Sequence, residues 1–365
     1  MVGTVLNKRQ LAIIIIVIVA IAAISTGTWM AWKSGIIFGP KYPITITDAL
    51  NRTVIVEEKP QRIVSTAPSI TELLFALDLG DKVVGVTDYC DYPPEVVEMR
   101  ENGTIESIGG YWDPNLEKIV KLNADLVLLD AGVSAHQDLA GQLDSLNITA
   151  VALYPGKTID EIYDNIRLVG KIAGEKNKAD KLVKDMTNRI NDVQSAVKDV
   201  ENKSSVLFAL WLNPVYTCGN DTFLSRIIYL AGGVNVFADL SGWPTVSLEE
   251  IVARKPDVIL VTATMMGEEP EDIINSLKND ALWNSTPAVQ NNKVYILIGQ
   301  GENIFLRPSV RVVEAVELLA RILYPDIFHT TEIPNVIGDN YTDYLPSTFL
   351  TAVFTTSTLP VYAYN

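Results

Sequence analysis

Aromatic residues occur in four loop-like segments that also contain proline or glycine. The segments are DYCDYPP (88–94), GYWDPN (110–115), LWLNPVYTCGND (210–221) and LSGWPTV (240–246). Their candidate ligand-binding side chains are Tyr89, Tyr92, Trp112, Trp211, Tyr216 and Trp243. Aromatic walls with few charges suit a large, partly flat and mostly neutral ligand. Taken alone, Tyr92 and Trp211 fit packed core residues better, so they become ligand candidates only through their place in these loops.

Three charged residues are candidates for recognition. Glu117 and Glu249 lie in the first turn of two predicted helices, where the helix dipole favours an acid, and Glu250 can complete a capping box with Ser247. The alternative is that Glu117 and Glu249 form a two-point dock for basic residues on a partner. Arg307, in ENIFLRPSV, is the one basic residue predicted to reach the ligand.

Neither catalysis nor a resident metal or cofactor is predicted. The chain shows no nucleophile elbow or phosphate-binding loop, and its two histidines, His136 and His329, are too few for a metal cluster. The two cysteines, Cys90 and Cys218, fall in different halves of the chain. A disulfide between them would clamp the two halves together, so we predict two free buried thiols.

Strands and helices alternate along most of the chain. The hairpin ITITDALNRTVIVEE is followed by the strand RIVSTA, the helix ITELLFAL with Ser69 as its predicted cap, and the strand KVVGVT. DLVLL and ITAVALY are further strands, separated by a helical stretch. This order predicts a mostly parallel sheet with helices on both faces, and ligands bind such sheets beyond the carboxyl ends of the strands.

An internal repeat predicts two lobes of like topology. NLEKIVKLNADLVLL (115–129) aligns without gaps to SLEEIVARKPDVILV (247–261) at an offset of 249 − 117 = 132, and each copy follows a loop with a tryptophan. Between them, EKNKADKLVKDMTNRINDVQSAVKDV predicts one long helix of more than six turns. The predicted units are an N-terminal α/β lobe at 43–157, a connecting helix region at 158–203, a C-terminal α/β lobe at 204–325, and an extension and tail at 326–365.

The N-terminus predicts export and membrane attachment. Residues 1–34 contain Lys8 and Arg9 followed by LAIIIIVIVAIAAIS, and this pattern predicts a membrane anchor. A cleaved signal peptide is the alternative. Residues 35–42 are predicted to be a linker. No cysteine follows the apolar run, which excludes a bacterial-type lipoprotein anchor. Seven N-x-S/T sequons support export, at Asn51, Asn102, Asn147, Asn202, Asn220, Asn284 and Asn340. The net charge of −15 argues against nucleic acid as a partner.

Taken together, these motifs resemble the substrate-binding proteins of ABC importers, specifically the rigid-helix class for vitamin B12, haem and siderophores. The resemblance covers roughly 43–323 and is carried by ITITDALNRTVIVEEKPQRIVSTAPSITELLFALDLGDKVVGVTDYCDYPPEV, NLEKIVKLNADLVLL, LAGGVNVF and WPTVSLEEIVARKPDVILV. It implies two α/β lobes joined by one long helix, with the ligand in the cleft between them, and a monomer that is not an enzyme.

Within that class the segments are most similar to corrinoid binders. The resemblance implies that Tyr89, Trp112 and Trp243 line the cleft and that Glu117 and Glu249 meet arginines on the transporter permease. It therefore implies capture of cobalamin or a related corrinoid outside the cell membrane and delivery to an ABC importer. The alternatives are haem, whose iron a tyrosinate can ligate, and a ferric siderophore, which would want Arg or Lys in the cleft.

Overall fold

The first lobe is built on a parallel sheet that follows a short hairpin. The structure, a computed structural model, describes residues 41–264 and 266–346, so the predicted anchor and the end of the predicted tail lie outside the described residues. The hairpin pairs β1 (Ile44–Thr47) with β2 (Thr53–Val56), as predicted. The five-stranded sheet has the order β5-β4-β3-β6-β7, with all neighbours parallel. Its strands are β3 (Ile63–Ser65), β4 (Val83–Val86), β5 (Glu106–Ser107), β6 (Leu126–Asp130) and β7 (Ala150–Leu153).

Four helices connect the strands of this lobe. They are α1 (Pro68–Ala76), α2 (Pro94–Glu101), α3 (Leu116–Lys121) and α4 (Ser134–Ser145). The predicted cap of α1 is wrong: the helix begins at Pro68, so Ser69 already lies inside its first turn and no side chain caps the end. Proline at the first helical position explains this start, because its fixed φ suits the helix and it has no N–H to cap.

Two helices connect the lobes. Helix α5 spans Ile159–Ile172, and α6 spans Lys176–Val197, a run of 22 residues that confirms the predicted long helix. Apolar residues such as Leu182, Met186 and Ile190 recur at helical spacing on the buried side of α6. No helix among the described residues has the length and apolar character needed to cross a bilayer.

The second lobe carries a seven-stranded sheet. Six of its strands follow the order β11-β9-β8-β12-β13-β14, and β10 pairs with β8. The strands are β8 (Ser205–Leu212), β9 (Val215–Thr217), β10 (Val234–Asn235), β11 (Thr245–Val246), β12 (Val258–Thr262), β13 (Val294–Leu297) and β14 (Val336–Ile337). The helices are α7 (Phe223–Leu230), α8 (Leu248–Arg254), α9 (Pro270–Asn279), α10 (Ala281–Asn284), α11 (Pro287–Gln290), α12 (Gly299–Leu306), α13 (Val312–Leu323) and α14 (Pro325–Phe328).

The predicted repeat is present in the fold. Strand β12 begins and ends 132 residues after β6, since 126 + 132 = 258 and 130 + 132 = 262. The caps correspond as well, because Asn115 accepts a hydrogen bond at the start of α3 and Ser247 does so at the start of α8. The order β3-β6-β7 of lobe one matches β8-β12-β13 of lobe two. The two lobes therefore share a parallel core, as predicted.

The hydrophobic core is layered through both sheets. Leu126 and Leu128 of β6 pack into one large central cluster, while Val127 on the other face packs into a cluster of its own lobe. In the same way Leu260 of β12 faces the central cluster and Ile259 faces the outer cluster of lobe two. Because a strand alternates its side chains between two faces, one continuous apolar layer packs against both sheets.

Candidate functional site

The loop between β4 and α2, residues 87–93, is called the Tyr89 loop. Its cysteine is anchored in the core: Cys90 is buried, and its Sγ lies 3.2 Å from Thr71 Oγ1 and 3.3 Å from Thr87 Oγ1. Arg100 donates to the carbonyl of Thr87, which holds the start of the loop. Tyr89, one residue before the anchor, is 58% exposed. The loop is thus fastened from within while Tyr89 faces solvent.

The second aromatic position of lobe one is Trp112, which precedes α3. Its ring contacts that of Tyr111 edge-on, with centroids 4.6 Å apart, and Trp112 is 68% exposed. Tyr111 donates its hydroxyl to Asp130 Oδ2 at 2.8 Å. Burial and the Asp130 carboxylate raise the pKa of Tyr111, so its hydroxyl keeps its proton. The Tyr111 ring, held by Asp130, therefore packs against Trp112, and the only sequence signal for this contact is that the two residues are adjacent.

His136 completes this support. The peptide N–H of Asp130 donates to His136 Nδ1 at 3.1 Å, so the ring proton is on Nε2, which donates to the Tyr111 carbonyl at 2.8 Å. Burial lowers the pKa of His136 and keeps the imidazole neutral. His136 therefore has a structural role, and no group of three or more potential metal ligands occurs among the described residues.

Lobe two presents three exposed aromatic residues around one edge of its sheet. Trp211 and Tyr216 are register partners across the β8–β9 hairpin, and Thr245 of β11 is the partner of Tyr216 on the other side. Directly opposed residues project to the same face, so Trp211 and Tyr216 lie on one face of the hairpin. Trp243 precedes β11 by two residues. Trp211 and Tyr216 are each 38% exposed and Trp243 is 44% exposed.

Tyr92 has different surroundings from the other aromatic candidates. It is half-buried, and the Arg311 guanidinium lies over its ring at 3.8 Å from the centroid. Burial, together with the Glu314 carboxylate, raises the pKa of its hydroxyl. Of the two interpretations given from the sequence, packing is the one these contacts favour for Tyr92.

Arg307 lies in a group of charged residues that joins the lobes, here called the interlobe cluster: Glu72 and Asp91 of lobe one with Asn303, Arg307 and Arg311 of lobe two. Arg311 donates from Nε and Nη2 to the two oxygens of Glu72 at 3.0 and 2.7 Å. Arg307 donates to Glu72 Oε1 at 3.1 Å and to Asp91 Oδ1 at 2.5 Å. Asn303 donates to the other Asp91 oxygen at 3.2 Å. The positive charge of Arg307 is therefore shared between two carboxylates.

Three of the four charged residues of the cluster are largely removed from water, while Asp91 is partly exposed. Glu72 and Arg311 are buried, and the Arg307 side chain is 14% exposed. Burial by itself would raise the pKa of Glu72, but the guanidinium groups of Arg311 and Arg307 outweigh it and hold that pKa below its usual value. Burial by itself would also raise the pKa of Asp91, but the hydrogen bond and charge of Arg307 outweigh it, so that pKa is lowered. All four charged groups are ionised and mutually neutralised near neutral pH.

The two predicted docking acids, Glu117 and Glu249, do not cap their helices. Glu117 and Glu249 are exposed, and neither has an ion pair or hydrogen-bond partner among the residues that the structure describes. At α8 the capping box is formed by Ser247 and Glu250, so Glu249 takes no part in the cap. Both acids occupy the second position of equivalent helices in the two lobes.

Two open grooves lie away from the candidate ligand side chains. One of 470 Å³ lies beside the connecting helices, lined by residues such as Tyr163 and Gln194 and by Asn220 and Asp221 at the end of segment 210–221. Another of 640 Å³ lies on lobe two, near Tyr295 and Arg321. The candidate ligand residues line neither, so the site is assigned from the exposure and chemistry of its loops.

Two α/β lobes joined by a long helix, with exposed aromatic loops in each lobe, define a solute-binding protein of the periplasmic type. The periplasmic binding protein family matches residues 63–300 of the chain. The chain therefore belongs to that family, whose members here are substrate-binding proteins of ABC import and not enzymes.

Two relatives and two solved structures show the range of similar proteins. An uncharacterised ABC-transporter substrate-binding lipoprotein of Bacillus subtilis is 35% identical over 79% of this chain and 87% of its own. A vitamin B12-binding protein of Vibrio cholerae is 30% identical over 72% and 89%. The structure of a periplasmic vitamin B12-binding protein of Vibrio cholerae matches with a TM-score of 0.57 at 29% identity, covering 73% of this chain and 98% of that one. A periplasmic heme-binding protein of Roseiflexus matches with a TM-score of 0.62 at 26% identity, covering 73% and 99%.

Proposed function

We propose that the protein captures a corrinoid outside the cytoplasm and delivers it to an ABC importer. One observation carries the choice of ligand: the site loops expose five aromatic side chains and contain no basic residue, and the one basic residue predicted to reach the ligand, Arg307, is neutralised by Glu72 and Asp91. Stacking surfaces without a free cation suit a macrocycle with little net charge. The vitamin B12-binding relative of Vibrio cholerae supports the same ligand class.

Haem is the second candidate, supported by the similarity to a heme-binding protein. A tyrosinate ligand to haem iron would have to come from a tyrosine that can lose its proton. Tyr92 suits that role poorly because its pKa is raised. Tyr89 and Tyr216 remain as candidates on exposure. An anionic siderophore is the least suited, because Arg307 is paired with two acids.

Calorimetry with the full-length protein in detergent distinguishes the ligands. We expect cyanocobalamin to bind one-to-one, and the double variant Trp112→Ala/Trp243→Ala to bind roughly thirtyfold more weakly, since each lost ring contact is worth about 1 kcal/mol. Tyr229→Ala is the matched control, because Tyr229 is 56% exposed on α7 and outside the site loops. If cyanocobalamin gives no heat and haemin binds tightly, the proposed ligand is haem and not a corrinoid.

The docking role proposed for Glu117 and Glu249 has its own test. Changing both to lysine reverses the charge that would face basic residues of the permease, so uptake of ligand should stop while ligand affinity stays unchanged. Glu101→Lys/Glu271→Lys is the control, since these two acids are also exposed, one per lobe, on other helices. Uptake that persists in the Glu117/Glu249 variant favours the helix-dipole interpretation instead.

We also propose that the protein is held at the membrane by its N-terminal segment and is glycosylated on the exported lobes. The lipoprotein relative of Bacillus subtilis supports an extracytoplasmic, membrane-associated location. All seven sequon asparagines are exposed, and Thr104 Oγ1 donates to Asn102 Oδ1 at 2.6 Å within one sequon. The mass of the protein purified from its own membrane tests both points, because cleavage subtracts the segment and each glycan adds mass. The bare mass of the chain after Tyr42 would contradict both.

A further inference from the structure

We propose that Arg307 of lobe two is a positioning residue for the Tyr89 loop of lobe one, so that one wall of the ligand site is set by the opposite lobe. The expected effect on ligand affinity rests on the proposed function. The geometry rests on the contacts of the interlobe cluster. Arg307 is thereby assigned to holding the binding wall and not to contacting the ligand.

The loop is held from two directions. Its first half is fastened within lobe one, where Arg100 donates to the carbonyls of Thr87 and Asp88. Its second half is fastened from lobe two. There Arg307 Nη2 donates to the Tyr89 carbonyl at 3.3 Å, while its Nη1 donates to the Asp91 carboxylate.

Arg311 extends this contact to the end of the loop. Its guanidinium lies over the Tyr92 ring while Nε and Nη2 bind Glu72. The third nitrogen, Nη1, is buried without a hydrogen-bond acceptor among the described residues. A guanidinium can offer its plane to an aromatic face as a substitute for that bond. Tyr92 is therefore fixed beneath a residue of the other lobe.

Arg307 is suited to the role by its shape and its burial. Its planar fork reaches Glu72 and Asp91 through Nη1 and the Tyr89 carbonyl through Nη2, whereas a lysine would have to reach all three acceptors from one nitrogen. The partners lie 216 to 235 residues away in sequence, so these contacts depend on how the two lobes pack against each other. The position of Tyr89 is then linked to the separation of the lobes before any ligand arrives.

Hydrogen–deuterium exchange of the full-length protein without ligand tests the geometry directly. We expect Arg307→Ala to speed exchange of the peptide covering 88–92 about tenfold, since it removes contacts of one hydrogen-bonded network. Arg307→Lys, which keeps the charge, should fall between the alanine variant and wild type. Arg189→Ala is the matched control: Arg189 also has a 14% exposed side chain and makes a bidentate pair, with Glu317, remote from the loop in sequence.

Affinity for cyanocobalamin is the second readout. Arg307→Ala and Asp91→Ala should each weaken binding about tenfold, and the double variant should be weakened by less than the product of the two single effects, because both remove the contact between Arg307 and Asp91. Arg189→Ala should lower the unfolding midpoint and leave affinity and loop exchange unchanged. Unchanged exchange in Arg307→Ala, or equal change in Arg189→Ala, overturns the positioning role. Absent corrinoid binding by wild type overturns the proposed function alone, since the exchange measurement needs no ligand.

Discussion

Replacing Glu72 by leucine removes the acid at the centre of the interlobe cluster. Glu72 is fully buried and accepts hydrogen bonds from Arg311 at 2.7 and 3.0 Å and from Arg307 at 3.1 Å. Without it, Arg311 stays buried with no carboxylate against its Nε and Nη2, while Arg307 keeps its bond to Asp91. Arg311, which is 1% exposed, therefore loses its hydrogen-bonded carboxylate without gaining contact with water.

The size of the effect follows from breaking a buried pair on one side only. Removing one partner of a buried ion pair costs about 3–5 kcal/mol, because the remaining charge has lost water and gained nothing in return. The retained Arg307–Asp91 contact does not reduce this cost, since it leaves Arg311 without a hydrogen-bonded carboxylate. We therefore expect Glu72→Leu to lower the free energy of unfolding by about 3–5 kcal/mol. That is a large part of the stability of an ordinary domain.

Urea unfolding, followed by tryptophan fluorescence and by circular dichroism, measures this loss. The double variant Glu72→Leu/Arg311→Met supplies the internal control, because replacing both charges by apolar groups of similar size removes the unpaired charge. It should recover most of the stability lost in the single variant. A loss below about 1 kcal/mol in Glu72→Leu, or a double variant whose loss equals the sum of the two single variants, would refute the reasoning.

The same pair predicts how the difference depends on pH. The pKa of Glu72 is lowered in the folded protein, so its stabilisation is fully present above the unfolded value, near 4.5, and is lost as pH falls through the folded pKa. The gap between wild type and Glu72→Leu should stay constant from about pH 7 to pH 5 and close below that. Burial and the Glu72 carboxylate both raise the pKa of Glu314, so Glu314 would titrate differently in the two proteins, and the comparison is made with Glu314→Gln in both. A gap that widens on acidification contradicts the assigned charge state.

Three further outcomes are expected. Gly156→Ala should cost about 1–3 kcal/mol in urea unfolding, because its φ is +73° and the new Cβ would lie 2.4 Å from Pro308 of the other lobe. Ser247→Ala should cost about 1 kcal/mol by the same measurement, since it removes the cap of α8; equal stability would show that the cap is dispensable. Cys90 and Cys218 should react with a thiol reagent only after unfolding, because both are buried and burial raises the pKa of Cys218 to about 12; fast labelling of the folded protein would contradict that.

The parts of the fold that are encoded locally could be predicted from the sequence. The repeat placed α3 and β6 in register with α8 and β12, because apolar periodicity and capping residues are visible in a short window. The prediction of two free buried thiols is confirmed, since both cysteines are free and buried, one in each lobe. The cap at Ser69 was wrong because Pro68 competes for the helix start.

The interlobe cluster could not be predicted, because its partners are separated by more than two hundred residues. Two local signals were present. Glu72 is the single acid in the apolar helix PSITELLFA, and Arg307 and Arg311 are four residues apart. Both indicate a buried charge that needs a partner, yet neither says where the partner lies. Only the packing of the lobes brings the acid of one to the arginines of the other.

That packing changes what Arg307 means for the choice of ligand. A basic residue beside an aromatic site would favour an anionic ligand if its charge were free. Here Asp91 and Glu72 already accept its hydrogen bonds, and moving it to a ligand would leave Glu72 with one fewer donor in a site that water cannot reach. The contact would add to ligand affinity only if its free energy exceeded the free energy lost at Glu72. A weakly charged macrocycle bound by ring stacking meets no such cost, because it leaves the cluster intact.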